Sequence, residues 1–196
     1  MIKRIFDIIF SLLGLILLLP LLLLIAFFLK IESKDPIFYL QTRVGKNNVD
    51  FRIFKFRTMI IGSDTKGLLT IGDRDPRVTK VGYFLRKYKL DELPQLINVL
   101  VNDMSFVGPR PEIRHYVECY SNDDLLILSV KPGITDLASI YYRNEVELLK
   151  NTNDPEALYI KTILPKKLEL NKKYIRNNGI ITDLKIILKT IQAIFK

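Results

Sequence analysis

An almost unbroken apolar run, residues 8–29, has Pro20 near its centre and most constrains what this chain can fold into. A run of about 22 residues makes roughly 33 Å of straight helix, which is long enough to cross the hydrocarbon core of a bilayer. Proline removes a backbone donor and clashes with the preceding turn, so we expect the helix to kink or break at Pro20. A bent helix can enter and leave a membrane by the same face. The run therefore predicts a membrane anchor, and its length alone leaves the topology open.

Basic residues flank the apolar run on both sides. They are Lys3 and Arg4 before it, and Lys30, Lys34, Arg43 and Lys46 after it. Because Lys and Arg favour the cytoplasmic side, this pattern favours a re-entrant, monotopic helix over a spanning one. A bitopic anchor stays open, since proline is tolerated in many spanning helices. A secretory signal peptide has a shorter apolar region that ends in small residues, and residues 27–30 offer no such cleavage site.

Composition limits the possible organisation of the chain beyond an anchor over residues 1–30. Residues 31–196 are enough for one domain with a sizeable core. The net charge of +9, from 30 Lys and Arg against 21 Asp and Glu, favours anionic partners such as lipid head groups and phosphates. A single Cys119 excludes an intramolecular disulfide, and with one histidine, His115, there is no zinc-type ligand set. Both residues are interpreted as packing or surface groups, and the composition suits a cytoplasm-facing domain.

The pattern along the domain predicts an α+β fold that is mostly helical. Two short strands are expected over 37–40 and 49–56, with a turn over 45–48, followed by a long exposed loop over 62–77. Residues 102–112 should be irregular, and 131–133 a turn. Helices are expected over 78–88, 113–120, 145–149, 154–172 with a break near Pro165, and 183–196. The last helix has Leu184, Ile187, Ile191 and Ile194 or Phe195 on one face, which suits either a membrane interface or packing on the domain.

The densest group of polar residues that could carry chemistry begins at Asp91 and Glu92. Pro94 suits the first turn of a helix, so we expect a new helix to start near these residues. Two carboxylates would then lie at the positive end of a helix, where they can act as nucleophile, metal ligand or general base beside N–H groups that hold phosphate oxygens. Taken alone, the pair is more often an ordinary N-terminal cap.

Cations lie at two further places in the sequence. Arg110 stands between two prolines, so little entropy is lost when its guanidinium grips a phosphate or carboxylate with two hydrogen bonds. Lys55 and Arg57 come at the end of the second predicted strand. Each could equally be an ordinary surface residue or a lipid head-group contact. The combination of carboxylates and cations is what favours phosphoryl transfer.

Five segments together resemble the bacterial sugar transferases, the small monotopic phosphoglycosyl transferases that begin bacterial glycan assembly such as O-antigen, capsule and exopolysaccharide. They are KFRTM (55–59), DPRVTKVG (75–82), LDELPQLINVL (90–100), DMSFVGPRPE (103–112) and KPGIT (131–135). They occur in collinear order over nearly the whole chain, after an apolar helix that contains a proline. The resemblance implies a re-entrant membrane helix broken at Pro20, and a small domain with a short sheet and interfacial amphipathic helices.

The resemblance also implies an activity at the cytoplasmic face of the bacterial inner membrane. A sugar-1-phosphate would pass from a UDP-sugar to polyprenol (undecaprenyl) phosphate, with release of UMP, through a covalent phosphosugar on Asp91. Mg²⁺ would neutralise the diphosphate near Asp91 and Glu92, and Glu92 could alternatively orient or deprotonate the incoming group. Arg110 would hold phosphate with help from Lys55 and Arg57, and Arg77 and Arg86 are further candidates.

The chain departs from the usual family pattern after KPGIT. Asp136-Leu137-Ala138-Ser139 stands where the family commonly has glycine followed by Leu-Ala-Gln or Leu-Trp-Gln, and Asn102 replaces a common glycine. Two rival functions fit parts of the sequence. One is a non-catalytic bitopic scaffold with a basic cytoplasmic domain. The other is a nucleic-acid binder, which the charge alone suggests and which the anchor and the lack of an aromatic-basic motif disfavour.

Overall fold

A computed structural model of the protein describes residues 2–63, 75–150 and 152–194. Helix α1 covers Ile2–Glu32 and is followed by a hairpin of strands β1 (Phe38–Val44) and β2 (Asp50–Phe56). Helices α2 (Lys80–Lys87) and α3 (Gln95–Leu100), strand β3 (Ser105–Val107), helix α4 (Arg114–Val117) and strand β4 (Gly133–Thr135) come next. The remainder is helical: α5 (Leu137–Tyr141), α6 (Glu145–Lys150), α7 (Pro155–Leu158), α8 (Leu164–Arg176) and α9 (Ile180–Ile194). The fold is therefore α+β and mostly helical, as predicted.

Helix α1 runs through Pro20 without an interruption. The predicted helix-break-helix is corrected to one continuous helix, because a single proline removes only one hydrogen bond and the surrounding leucines are strong helix formers. By length and composition α1 could cross a membrane. Its exposed residues are mostly large and apolar, among them Leu17 at 69% and Phe27 at 60% exposure. Two of its four buried residues, Asp7 and Ser11, are polar.

The first half of α1 is tied to the domain by polar contacts. The Lys3 ammonium donates to the Val107 carbonyl at 2.9 Å and forms an ion pair with Asp183 of α9. Arg4 donates to the carbonyls of Val99 and Leu100 at the end of α3, at 2.6 and 2.8 Å. These two cations, interpreted from the sequence only as a charged flank, therefore dock α1 onto the domain.

Asp7 adds a third polar contact to this half of α1. Its carboxylate accepts hydrogen bonds from the Ser105 hydroxyl at 3.1 Å and from the Phe106 N–H at 3.2 Å. Midway along the helix, Gly14 packs so closely on Leu96 that an added Cβ would lie 3.2 Å from the leucine side chain. The domain therefore contacts α1 from the first turn of the helix to its middle.

The second half of α1 packs through apolar residues and ends on two polar contacts. Ile25 and Leu29 are buried in a cluster with Phe56 and Leu85. The Arg57 guanidinium donates to the carbonyls of Leu29 at 3.1 Å and Pro36 at 2.9 Å. Glu32 accepts from the Val81 N–H at 2.9 Å, in the first turn of α2. Both ends of α1 thus contact the same domain.

The predicted hairpin is confirmed, with a longer first strand than expected. Strands β1 and β2 are antiparallel, with Tyr39 opposite Lys55. The turn between them places Asn47 and Asn48 at positive φ, a conformation that asparagine tolerates better than most residues. Of the predicted loop 62–77, residues 64–74 lie outside the described residues.

A second, parallel strand pair was not predicted from the sequence. Strand β3 lies in the segment interpreted as irregular, and β4 begins at Gly133, the last residue of the predicted turn. Ser105 pairs with Gly133, and Val107 pairs with Thr135. Gly108 and Gly133 approach so closely that a Cβ on Gly133 would lie 2.1 Å from the Gly108 nitrogen. The segment 103–112 is therefore held against 131–135 by a contact that only glycine permits.

The predicted helices are present with shifted ends. The expected break near Pro165 is a π-helical turn, Tyr159–Ile163, directly before α8. The helical core contains Tyr116, Ile127, Leu149, Tyr159, Ile163, Leu164 and Leu168. On α4, His115 bonds to Glu156 at 3.0 Å, and Cys119, two residues beyond the helix, is exposed, which agrees with their interpretation as packing or surface groups.

Helix α9 both packs on the domain and keeps an apolar outer stripe. Ile186 and Asp183 are buried, and Ile187 packs beside Val107 and Tyr174. The outer stripe consists of Ile181, Leu184, Leu188 and Ile191, each at least 45% exposed. Leu184 and Ile191 therefore face outward while Ile187 does not. The other members of the predicted face, the Ile194 side chain and Phe195, lie outside the described residues.

Candidate active site

A cavity of about 660 Å³ lies between the hairpin, α2 and the turn that precedes α3. Every residue proposed from the sequence as a catalytic or phosphate-binding residue contributes to its wall: Lys55, Arg57, Arg77, Arg86, Asp91, Glu92 and Arg110. Apolar residues, including Phe38, Leu40, Ile60 and Ile61, complete the lining. The cavity is thus a cationic pocket with two carboxylates and an apolar margin.

Asp91 and Glu92 are placed by a turn rather than by a helix end. Lys89 has a left-handed conformation, with φ 56° and ψ 23°, which ends the α2 segment. Leu90–Glu92 then form one 3₁₀ turn, and α3 begins only at Gln95 after Pro94. The expected helix start near Asp91 is therefore corrected by three to four residues. The tight turn presents both carboxylates to the cavity.

Glu92 is held by two cations. Arg110 donates from both terminal nitrogens, one of them to Oε2 at 3.2 Å, and Lys55 donates to Oε1 at 3.1 Å. Burial opposes ionisation of Glu92, but the charges of Arg110 and Lys55 outweigh it and hold the pKa of Glu92 well below its usual range. Burial lowers the pKa of Lys55, against the attraction of Glu92. The trio is a charge-assisted network that fixes Glu92 as a carboxylate.

Asp91 differs from its neighbour. Its Oδ1 atom is buried and finds no hydrogen-bond partner among the described residues. Burial, followed by repulsion from Glu92, raises the pKa of Asp91, although Lys55, Lys89 and Arg86 oppose the shift. A buried carboxylate oxygen without a partner is uncommon in folded proteins, and a raised pKa in a cavity makes Asp91 a candidate functional residue. The arrangement leaves one carboxylate available for chemistry.

The remaining predicted cations fall into different environments. Arg57 is 5% exposed, and its guanidinium donates to carbonyls at the end of α1 and at Pro36, so it holds the end of α1 on the domain. Arg77 forms an ion pair with Asp75 at 2.6 Å. Arg86 lies in the wall of the cavity on α2. Phosphate binding by these three residues stays a prediction.

Sequence reasoning missed two cations of the cavity wall. Lys89 lines the cavity directly before the 3₁₀ turn. Arg43, interpreted only as a basic flank, donates to Gln41 at 2.7 Å and to the Pro111 carbonyl at 3.0 Å, so it supports the segment that carries Arg110. Tyr39 pairs with Lys55 across the hairpin, so the alternation along β1 could have placed Arg43 on the same face as Lys55.

The donor set of the site bears on whether it fits Mg²⁺. No group of three or more His, Cys, Asp or Glu side chains that could hold a metal occurs among residues 2–63, 75–150 and 152–194. Mg²⁺ commonly uses one or two carboxylates and takes its other ligands from substrate phosphates and water. The unpartnered Asp91 oxygen fits that mode, whereas both Glu92 oxygens are already engaged by cations.

Comparison with known proteins defines the class. The family model described as "Bacterial sugar transferase" matches residues 1–196. A UDP-N-acetylgalactosamine-undecaprenyl-phosphate N-acetylgalactosaminephosphotransferase of Aeromonas hydrophila is 38% identical over 98% of this chain and 43% of its own length. The exopolysaccharide production protein ExoY of Sinorhizobium fredii is 35% identical over 98% of this chain and 84% of its own length.

The chain therefore belongs to the bacterial sugar transferase family. A UDP-glucose:undecaprenyl-phosphate glucose-1-phosphate transferase of Escherichia coli (strain K12) is 38% identical over 97% of this chain and 39% of its own length. The chain thus spans less than half the length of several relatives that it matches. These relatives are named for different sugars, so the likeness identifies the family without identifying the sugar.

Proposed function

We propose that the protein transfers a sugar-1-phosphate from a UDP-sugar to polyprenol phosphate and releases UMP, as a first membrane step of bacterial glycan assembly. The observation that carries the proposal is the unpartnered, buried oxygen of Asp91 beside a neighbour that two cations neutralise. Relatives named as undecaprenyl-phosphate sugar phosphotransferases support the substrate classes. The cavity volume of about 660 Å³ suits a nucleotide-sized ligand.

The first step is a displacement at phosphorus. An Asp91 oxygen attacks the sugar-bearing phosphorus, the bond to the bridging oxygen breaks, and UMP leaves with that oxygen and its electron pair. The sugar phosphate is then an acyl phosphate on Asp91. In the second step a phosphate oxygen of polyprenol phosphate attacks the same phosphorus, which releases polyprenyl diphosphate sugar and the free carboxylate. One shallow site thereby serves a water-borne and a bilayer-borne reactant in turn.

The cations of the cavity act on the charge that moves during both steps. Arg110 reaches Glu92 but its side chain remains 37% exposed, so it can also contact a bound phosphate. Arg86 and Lys89 lie on the Asp91 side of the cavity and attract the diphosphate. Because the pKa of Glu92 is held well below its usual range, Glu92 is a poor proton acceptor. We assign it the role of orienting Lys55 and Arg110.

Mg²⁺ belongs to the same proposal. Asp91 would be its protein ligand, the substrate diphosphate would supply further oxygens, and Glu92 would lie next to it. When bound, the ion neutralises diphosphate charge. Lys55 and Arg110 would orient the phosphorus, while Lys55, Lys89 and Arg86 oppose the rise in the pKa of Asp91 and so favour its ionised form.

The membrane position is proposed from the contacts of α1. Lys3 and Arg4 at its start and Glu32 at its end all contact one domain, while its apolar side chains are exposed. If α1 spanned the membrane, its two ends would lie on opposite sides of a hydrocarbon core about 30 Å thick, and a domain on one side could not contact both. We therefore favour a monotopic anchor on the cytoplasmic face of the inner membrane. The outer stripe of α9, with Lys185 and Lys189 nearby, suits the lipid interface.

Cysteine labelling tests this topology. In a Cys119→Ser background, Ile2→Cys places a thiol at a site that is 73% exposed. A membrane-impermeant maleimide should leave this thiol unlabelled in intact cells and label it after lysis. Labelling in intact cells would instead support the bitopic scaffold.

An assay of UMP release tests the reaction. Purified protein is given Mg²⁺, undecaprenyl phosphate and each of a panel of UDP-sugars. We expect UMP and polyprenyl diphosphate sugar in equal amounts from at least one donor, and neither from Asp91→Asn. Folded protein that releases no UMP from any donor would contradict the proposed function and favour the scaffold.

A further inference from the structure

Asp136 is a buried carboxylate that the proposed reaction does not use. The residue is 1% exposed. Its Oδ2 atom accepts a hydrogen bond from the backbone N–H of Arg110 at 2.9 Å, and its Oδ1 atom accepts from the backbone N–H of Ser139. The second contact caps helix α5, a common task for aspartate. The first contact reaches outside the helix to the residue that holds Glu92.

The strand pair β3–β4 brings Asp136 to Arg110. The Gly133 N–H donates to the Pro109 carbonyl at 3.0 Å, and the Gly108 N–H donates to the Thr135 carbonyl at 3.1 Å. The close approach of Gly108 and Gly133 leaves no room for a Cβ. The backbone segment before Arg110 is therefore paired in register with the segment before Asp136. The hydrogen bond from the Arg110 N–H to the Asp136 carboxylate extends this pairing by one more contact.

Arg110 connects Asp136 to the two carboxylates of the cavity. Its backbone N–H is held by Asp136 and its guanidinium grips Glu92, which is adjacent in sequence to Asp91. We infer that Asp136 is a positioning residue: it fixes the backbone from which Arg110 reaches Glu92, and so sets the cation arrangement beside Asp91. The inference rests on the proposed function for its effect on turnover, and on the structure alone for its effect on the Arg110–Glu92 contact.

The chain contains a matched control. Asp154 caps α7 as Asp136 caps α5, by accepting from the N–H three residues on, at 2.9 Å from Ala157. Asp154 is exposed and does not line the cavity. Asp154→Asn therefore makes the same chemical change at the same kind of cap without a contact to Arg110. Asp136→Ser adds a second comparison, because serine can still cap α5 but has a single oxygen and cannot also hold Arg110.

The first test measures kcat and KM by UMP release. We expect Asp136→Asn and Asp136→Ser to lower kcat by about 10- to 100-fold, since a shift of about 1 Å in a catalytic group has effects of that size. Asp154→Asn should change kcat by less than about twofold. In an Arg110→Ala background, Asp136→Asn should have no further effect on kcat. Losses that multiply in the double variant, or equal losses in Asp136→Asn and Asp154→Asn, would overturn the inference.

The second test needs no substrate and separates this inference from the proposed function. A double-mutant cycle of Arg110→Ala and Glu92→Gln on thermal unfolding gives the coupling between the two side chains. We expect this coupling to shrink at least twofold in Asp136→Ser and to persist in Asp154→Asn. Unchanged coupling in Asp136→Ser would overturn the inference even for an active enzyme. If the coupling is reduced in Asp136→Ser but the protein has no transferase activity, the inference about Asp136 stands and only the proposed function is rejected.

Discussion

The Glu92 side and the Asp91 side of the cavity differ, although the two residues are adjacent and both are half-buried. Glu92 accepts from Lys55 and Arg110, and its pKa lies well below the usual range. Asp91 has an oxygen without a partner among the described residues, and its pKa is raised. Burial acts on both in the same direction, so the partners decide the sign of the shift. The contrast supports the proposal that Glu92 stabilises the site and that Asp91 is the reactive carboxylate.

In the proposed reaction, this difference in partners would keep Asp91 available as the nucleophile within a strongly cationic cavity. If Lys55 and Arg110 contacted Asp91 directly, they would hold its oxygens as they hold those of Glu92. Glu92 takes up those donors, while Arg110 stays partly exposed for phosphate. Pairs of titratable groups with opposite pKa shifts are typical of acid, base and nucleophile assignments in enzymes.

The largest expected effect is the loss of turnover on Asp91→Asn. An amide cannot form the phosphosugar bond, so we expect kcat to fall by at least about 1,000-fold. UMP release measures the change, with Asp154→Asn as the control for an aspartate outside the cavity. Near-normal turnover of Asp91→Asn would contradict the assignment of Asp91 as the nucleophile and Glu92 as the stabilising carboxylate.

Glu92→Gln should have a smaller effect on turnover. The variant keeps the shape of Glu92 but loses its charge, so Lys55 and Arg110 lose their common partner and shift. We expect kcat to fall by about 10- to 100-fold. A loss as large as that of Asp91→Asn would show that Glu92 takes part in bond making.

The pH dependence should separate the two carboxylates further. Asp91 must be ionised to attack, so turnover should fall as the pH drops through its raised pKa, at a pH above the ordinary value of about 3.9. Glu92→Gln removes repulsion and frees two cations, which lowers the pKa of Asp91. The acid limb of kcat/KM should therefore move to lower pH in Glu92→Gln. A shift of the acid limb to higher pH in Glu92→Gln would contradict the assignment of Glu92 as a carboxylate that repels Asp91.

The smallest expected effects are on stability, and they have opposite signs. The pKa of Asp91 is higher in the folded protein than in the unfolded chain, where it is about 3.9. Ionised Asp91 therefore destabilises the fold above that pH. We expect Asp91→Asn to raise the free energy of unfolding by about 1 kcal/mol at pH 7. That gain should vanish as the pH falls towards 3. The lowered pKa of Glu92 means that its contribution exists above about pH 4.3 and is lost as the pH falls through its folded pKa.

Glu92→Gln should therefore lower the free energy of unfolding by about 1 to 3 kcal/mol at pH 7, because the partly buried Lys55 and Arg110 lose the carboxylate that pairs with them. Thermal unfolding of both variants across pH measures the difference. Destabilisation by Asp91→Asn at pH 7 would show that its oxygen has a stabilising partner.

The sequence predicted the parts of the fold that depend on local pattern. Alternating residues and an Asn-rich turn were sufficient for the β1–β2 hairpin, and collinear motifs were sufficient to bring Lys55, Glu92 and Arg110 into one candidate site. The β3–β4 pair was missed because three-residue strands have no readable period and their pairing depends on contact between Gly108 and Gly133.

The contacts of two further residues were not predicted, because a side chain's partner can lie far along the chain. Asp7 was not singled out, although its carboxylate ties α1 to Ser105 and Phe106 nearly one hundred residues away. Arg57 was predicted from the family resemblance to help bind phosphate, and that role stays a prediction; its contacts with the end of α1 and with Pro36 were not predicted. Neither partner could be read from the residues next to it in the sequence.

The most direct measurement is the mass of the protein after reaction with a donor alone. Purified protein is mixed with Mg²⁺ and a UDP-sugar that supports turnover, without polyprenol phosphate, then analysed intact and as peptides. We expect one added phosphosugar on the peptide that contains Asp91, an equal amount of UMP, and loss of the adduct when polyprenol phosphate is added. Turnover with both substrates but no adduct at any time, or an adduct on Glu92, would contradict the account.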